Sequence, residues 1–287
     1  MSHFNKKTIK TVGIAGLGLI GGSFAKAFKI NGGLTVYGTD LNDDVVNAAI
    51  NEGTLDKKLD KDNIGECDLI IPALYPLAIN QFVKEMAPYI NKDSIVIDTG
   101  GLKRVVCSEC FKISKDFGFT FVGGHPMAGK KYSGYKYSTE KLFKDASMII
   151  VPEDLEDKEL IDSVTSILKP CDFGMITVCS AERHDEMIAF TSEMAHIVSN
   201  AYIKSPTALA HKGFSAGSYK DMTRVAWLNE TMWTEIFLLN KDNLIKEIDY
   251  ITKYLLEYKQ ALIDNDADTM WQLLHDGKMA KETVDGK

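Results

Sequence analysis

No apolar run in this chain is long enough to cross a bilayer. The longest, such as DLIIPAL at 68–74, fall well short of the roughly 20 residues that a spanning helix needs, so no membrane association is expected. No basic stripe is present either. Net charge is −7, which argues against nucleic acid as a partner. An anionic ligand would need locally placed cations. Nor is there a disulfide framework. Five cysteines, an odd number, are scattered over 287 residues, a usage that fits a reducing compartment and a cytoplasmic location. Cys107 and Cys110 form a CxxC pair on a helical stretch, but no second ligand pair accompanies it, so no metal site is expected. Repeats and low-complexity segments are absent. The N-terminal MSHFNKKTIKTVGIAGLG has basic and then apolar residues. Its apolar part is glycine-rich and lacks a small-residue cleavage site, so it reads as a first strand, not a signal peptide.

The chain is 45% hydrophobic and 25% charged, close to the soluble globular average. Its length suits one large or two ordinary domains. Up to residue 180, short β-branched runs alternate with helical patterns. The runs are KTVGIAG, LTVYGTD, CDLIIPAL, SIVIDTG, FTFVGG, ASMIIVP and MITVCS; helices are expected near 19–30, 42–52, 76–90, 103–117 and 157–168. This alternation implies βαβ units and a mostly parallel sheet. Runs with little polar alternation fit strands covered on both faces. After 181 the strand-like runs stop and helical periodicity takes over. The expected division is therefore residues 1–180, an α/β doubly wound sheet of Rossmann type, and residues 181–287, all α. Leu244, Ile248, Ile251, Leu255, Tyr258 and Leu262 recur at steps of four and three, an apolar seam along one helix. It suits an intramolecular core or a dimer interface equally. The last ten residues, KMAKETVDGK, are expected to fray.

KTVGIAG runs into Gly16-x-Gly18-x-x-Gly21, with a helical SFAKAFK after it. A strand before and a helix after are the context that gives this pattern meaning. Gly16 permits the tight turn, Gly18 lets backbone approach a pyrophosphate, and Gly21 lets helix pack on strand. The helix N-terminus, with Leu19 and Ile20 in its first turn, adds N–H donors and a positive dipole end. Asp40 ends the second run, where a carboxylate accepts bonds from ribose hydroxyls and repels a 2′-phosphate, so the expected cofactor is NAD. The other reading of Asp40 is a cap for the next helix. Ligands in such sheets bind outside the carboxyl ends of the strands. That brings Leu74 and Tyr75, Thr99, and the loop Gly123-Gly124-His125-Pro126 to one crevice.

The motifs DTGGLK, GGHPMAG with its following SG, HDEMIAFTSEMAH and SYKDMTR…MW together resemble the prephenate dehydrogenases of tyrosine biosynthesis. The resemblance covers nearly the whole chain. It implies NAD-dependent oxidative decarboxylation of prephenate, and a dinucleotide-binding domain followed by a helical dimerisation domain, hence a homodimer. By the same resemblance His125 is the catalytic histidine that bonds the substrate hydroxyl, Arg224 holds a carboxylate, and His196 lines the substrate pocket. Ser133 and Lys220 are expected nearby. Two positions depart from the pattern. Many members have serine where this chain has Gly101, and that hydroxyl helps orient the histidine; Thr99, Ser133 or water would have to replace it. Some members carry a histidine where this chain has Glu193. No βαββαβ-like segment follows the last helix, so an appended amino-acid-sensing domain is not expected.

A neutral imidazole suits acceptance of a hydroxyl proton, since its ordinary pKa is about 6.5. Arg224 offers a planar fork that matches a carboxylate. On the helix from 186, Ser192, His196, Ser199 and Asn200 form one stripe, and Met187, Phe190, Met194, Ile197 and Ala201 another. The polar stripe suits a wet pocket or a solvated face equally. His184 stays unassigned. The rival readings are arogenate as substrate, a related two-domain dehydrogenase of a small hydroxy or imino acid, and a non-catalytic NAD-binding sensor.

Overall fold

The computed structural model describes residues 9–130 and 132–286. Eight strands form one sheet: β1 (Thr11–Ala15), β2 (Thr35–Thr39), β3 (Lys57–Lys58), β4 (Leu69–Pro72), β5 (Ile95–Ile97), β6 (Thr120–Pro126), β7 (Ser147–Val151) and β8 (Met175–Val178). Their order is β3-β2-β1-β4-β5-β6-β7-β8. The first six are parallel and have the 3-2-1-4-5-6 order of the doubly wound dinucleotide-binding sheet. β7 runs antiparallel to β6, and β8 parallel to β7. All seven expected runs become strands. The two-residue edge strand β3 lies outside them, because two lysines carry no apolar signal.

Side chains on a strand alternate between faces, and here both faces are covered. Leu69, Ile71, Ile95 and Ile97 join one buried cluster, while Ile70 and Val96 join the other. The covering helices are α1 (Leu19–Lys26), α2 (Asp43–Asn51), α3 (Pro76–Met86), α4 (Arg104–Phe117) and α5 (Lys158–Ile167). Pro76 opens α3, where its missing N–H leaves no hydrogen bond unmade. Later in the chain come α6 (Ala181–Ile188), α7 (Met194–Tyr202), α8 (Gly217–Thr223), α9 (Glu230–Leu239), α10 (Lys241–Ile263) and α11 (Ala267–Asp285). Among the described residues no helix is long and apolar enough to cross a membrane.

The chain divides into two compact units, but not by one cut at 180. The first runs to Ile188 and also takes in Glu230–Leu239; the second comprises Ala189–Asn229 and Asn240–Lys287. Burial gives the reason. His184, Asp185 and Ile188 of α6 are buried in the first unit, and Glu235 of α9 accepts a hydrogen bond from the Leu77 N–H at the start of α3 (3.1 Å). A π turn, Ala189–Glu193, follows α6. Its extra residue shifts the phase between Met187 and the positions that follow, so the apolar stripe drawn with a 3.6 period does not run unbroken across it. Phe190 is 62% exposed, and Ser199 is buried at 2%.

In the second unit α10 and α11 fold back on each other through a turn in which Asn265 adopts a left-handed conformation (φ 52°). Asp266 caps α11 by accepting from the Thr269 N–H at 3.0 Å. α11 continues to Asp285 instead of fraying, with Lys278–Glu282 and Lys281–Asp285 pairs on its last turns. The apolar seam of α10 is split. Leu244 is buried, while Leu255 and Leu262 are 61% and 71% exposed.

Candidate active site

The glycine turn between β1 and α1 has a distinct geometric reason for each glycine. Gly16 sits at φ 87°, and a Cβ there would meet the Ala73 carbonyl at 2.4 Å. At Gly21 a Cβ would lie 1.8 Å from the Gly16 carbonyl. Gly18 is different: nothing lies within 4 Å of its Cβ position, so space opens over the backbone there. Gly18 is also the N-cap of α1, with no side chain capping it. Leu19 and Ile20 form the first helical turn, which points unsatisfied N–H groups and a positive dipole end toward that space. Leu74 flanks Gly16, Tyr75 is exposed at the N-cap of α3, and Thr99 is half-buried after β5.

Asp40 does not cap α2; Asn42 does, accepting from the Asp44 N–H at 2.9 Å. The Asp40 carboxylate instead accepts from the Leu17 N–H (2.7 Å) and the Asn42 N–H (3.0 Å), tying the end of β2 to the glycine turn. Each of its oxygens keeps a lone pair for a further donor. These features fit the adenosine and pyrophosphate parts of a dinucleotide.

His125 is not in a loop. β6 continues through Pro126, and His125 pairs with Ile149 of β7. Its two preceding glycines make room for protein. A Cβ at Gly124 would lie 2.3 Å from the Asp98 carbonyl, and one at Gly123 would lie 2.6 Å from Cys107 Sγ. Asp98 and Lys103, both 0% exposed, clamp Gly124 from two sides. Asp98 Oδ1 accepts from the Gly124 N–H (3.0 Å), and Lys103 Nζ donates to the Gly124 carbonyl (2.7 Å) and to Asp98 Oδ2. Asp98 Oδ2 also accepts from the Gly100 N–H at 2.8 Å. A buried charge pair of this kind is stable only when its remaining hydrogen-bonding capacity is also met.

The ring of His125 is held by a residue that the sequence left unassigned. His125 Nδ1 lies 2.9 Å from His184 Nε2, and His184 Nδ1 lies 2.7 Å from Asp185 Oδ1. Neither Thr99 nor Ser133 fills this place; Ser133 is exposed in the loop that follows. Asp185 in turn accepts from the Lys103 N–H (2.7 Å) and the Arg104 N–H (3.0 Å) at the start of α4, and its Oδ2 meets Arg104 Nε at 3.3 Å. Burial, then the neighbouring His184 and Lys103, hold the His125 pKa well below the ordinary 6.5. Burial lowers that of His184 as well, outweighing the pull of Asp185. Burial alone would raise the Asp185 carboxyl, but the His184 ring and the Lys103 and Arg104 amides bring it below the ordinary value. At neutral pH the two rings are neutral and Asp185 is ionised.

In the second unit a cavity of about 420 Å³ is lined by residues that include Ser192, Met194, His196, Asp221, Arg224 and Val225. His196 Nδ1 donates to the Ser192 carbonyl at 2.8 Å. Burial, with the nearby Arg224 guanidinium, lowers its pKa. Arg224 is exposed at the end of α8 and forms no ion pair with Asp221 among the described residues. Lys220 is exposed and does not line this cavity. Glu193 is buried and accepts from Asn240 at 3.0 Å.

Two family models cover the chain. The prephenate dehydrogenase nucleotide-binding domain matches residues 24–177, and the prephenate dehydrogenase dimerization domain matches 180–276. The chain belongs to the prephenate dehydrogenase family. Prephenate dehydrogenase of Bacillus subtilis is 30% identical over 285 residues, covering 96% of this chain and 76% of that one. Cyclohexadienyl dehydrogenase of Zymomonas mobilis is 29% identical, with 95% of each chain covered. A crystal structure of Aquifex aeolicus prephenate dehydrogenase in complex with hydroxyphenyl propionate and NAD+ superposes with a TM-score of 0.82 at 26% identity, covering 98% of this chain and all of that one.

Sequence reasoning missed Asp98, Lys103, His184 and Asp185 as parts of the site. A faint signal exists for the last two. On α6 they sit three and four residues before Ile188, so two polar residues share the helix's buried face.

Proposed function

We propose that this protein catalyses the NAD-dependent oxidative decarboxylation of prephenate to 4-hydroxyphenylpyruvate, a step of tyrosine biosynthesis. The observation that carries the reading is His125: a neutral, largely desolvated imidazole whose Nδ1 is held by His184, in a chain of this family. Such a ring has a lone pair to take the substrate hydroxyl proton. NAD+, when bound by the glycine turn, would accept the hydride released as the C4–H bond breaks. His125 takes the proton as the C4 hydroxyl becomes a carbonyl. The bond from C1 to the ring carboxylate breaks, CO2 leaves, and its electron pair completes the aromatic ring. The proton held by His125 returns to the phenolate oxygen.

Gly16, Gly18, Leu19, Ile20 and Gly21 hold the pyrophosphate, and the Asp40 carboxylate selects NAD by bonding ribose hydroxyls and repelling a 2′-phosphate. Leu74, Tyr75 and Thr99 line the remainder of the cofactor crevice. Arg224 binds a substrate carboxylate and His196 lines its pocket, supported by the cavity they share; Ser133 and Lys220 do not line that cavity and are proposed only as outer contacts. The protein acts as a homodimer, supported by the match to a dimerization domain and by the exposed Leu255 and Leu262 of α10.

The second reading is arogenate as substrate, which the cyclohexadienyl dehydrogenase relative keeps in view. One assay separates the readings: NADH formation with prephenate and with arogenate in parallel. Turnover of prephenate is expected. Turnover of arogenate alone would move the assignment to it, and turnover of neither would remove the enzymatic reading.

A further inference from the structure

Asp185 caps α4. The helix begins at Arg104, and the Lys103 and Arg104 N–H groups that have no partner within the helix both donate to this one carboxylate, at 2.7 and 3.0 Å. Backbone N–H groups can only donate, and a carboxylate at a helix N-terminus is stabilised in its ionised form. The ionised carboxylate can only accept, so the proton in its 2.7 Å contact with His184 belongs to Nδ1 of that ring. A neutral imidazole carries one N–H. His184 therefore presents a bare Nε2 to His125, 2.9 Å away, and His125 must supply the hydrogen. Its single proton is then on Nδ1, and its Nε2 is left with the lone pair. Gly101 offers no side chain that could do the same.

We infer that His184 and Asp185 are positioning residues that fix His125 in the one tautomer able to act as a base at Nε2. The inference rests on the reading of His125 as the proton acceptor. Two buried residues, each 1% exposed, thus pass an instruction from the N-terminus of α4 to the reacting nitrogen. They also stabilise the product of proton transfer. When His125 gains a proton at Nε2, its Nδ1–H still points to His184 and, through it, to the Asp185 charge. The other charges around the ring are Lys103, Arg104 and Asp98, and the buried Lys103–Asp98 pair is neutral overall.

The test is Asp185→Asn. The amide carbonyl stays at the Oδ2 place, where Arg104 supplies two donors (its N–H and Nε–H), while the NH2 takes the Oδ1 place, faces His184 Nδ1 and leaves the Lys103 N–H without its acceptor. Both rings then reverse, and His125 carries its proton on Nε2. The expected loss in kcat is about 10²–10⁴-fold, with KM for prephenate within about threefold and NADH affinity unchanged. Side-chain 15N spectra should show the His125 proton on Nδ1 in the parent and on Nε2 in the variant. An unchanged tautomer with kcat within about threefold of the parent would overturn the inference. If Asp185→Asn does not fold, His184 decides. His184→Gln can still accept from Nδ1, whereas His184→Phe keeps the ring volume but accepts nothing. Positioning predicts that Gln retains more kcat than Phe; a packing role predicts the reverse and would overturn it. His125→Asn serves as the control. Parent-like turnover there would fault the reading of His125 itself, while the 15N result would still report on the pair.

Discussion

The surroundings of His125 and Arg224 are built in opposite ways. Around His125, Asp98, Lys103, His184 and Asp185 are buried and bonded to one another. Around Arg224 the guanidinium is exposed, and the cavity beside it is lined partly by apolar side chains. The chemistry required of each explains the contrast. A proton acceptor must present one nitrogen in one tautomer, and only a fully bonded set of neighbours enforces that. A carboxylate clamp must release its ligand every turnover, and a solvated guanidinium does so at little cost.

Substitutions that probe one region should leave the readout of the other untouched. The largest effect is expected at Lys103. Lys103→Met strands the buried Asp98 carboxylate, and removing one partner of such a pair costs about 3–5 kcal/mol. Urea unfolding should show it; a loss below about 1 kcal/mol would mean that the clamp on Gly124 is dispensable. Arg224→Ala should behave in the opposite way. KM for prephenate should rise about 10–100-fold through loss of charge-assisted bonds, with the thermal midpoint within about 2 °C of the parent. An unchanged KM would remove Arg224 from the site.

The pH profile distinguishes the regions more finely. The working form of His125 is neutral, so protonation removes the base and activity falls on the acid side. Burial and the neighbouring His184 and Lys103 depress its pKa. The acid limb of kcat/KM should therefore have its midpoint below 6.5, with a plateau above it. A midpoint at or above 7 would show that the ring is not desolvated as described. The smallest effect is expected for Gly101→Ser. Only Ile236 Cδ1, at 3.6 Å, lies near the new Cβ, and His125 Nδ1 is already engaged by His184, so kcat should change by less than about threefold. A gain of tenfold or more would mean that His184 holds the ring poorly.

The sheet was legible because its signal is local. Seven apolar, β-branched runs alternate with helical stretches, and all seven are strands. The glycine turn was legible because its three glycines lie close together in one strand–turn–helix unit: Gly16 and Gly21 leave no room for a Cβ, and Gly18 leaves space over the backbone. His125 was found by its motif, but its partner was not, since His184 is 59 residues away along the chain and no spacing rule joins them. Lys103 was overlooked because lysine ordinarily belongs to solvent; only the packed structure puts it beside Asp98. The apolar stripe on the helix from 186 failed for a different reason. A one-residue π insertion at Ala189–Glu193 breaks the period, and nothing in that stretch of sequence announces it.

The most direct test of the account is His125→Asn assayed for NADH formation from prephenate across neutral pH, alongside NADH binding to the same variant. The account predicts a fall in kcat of about 10²–10⁴-fold with NADH binding retained. Turnover equal to the parent would contradict it.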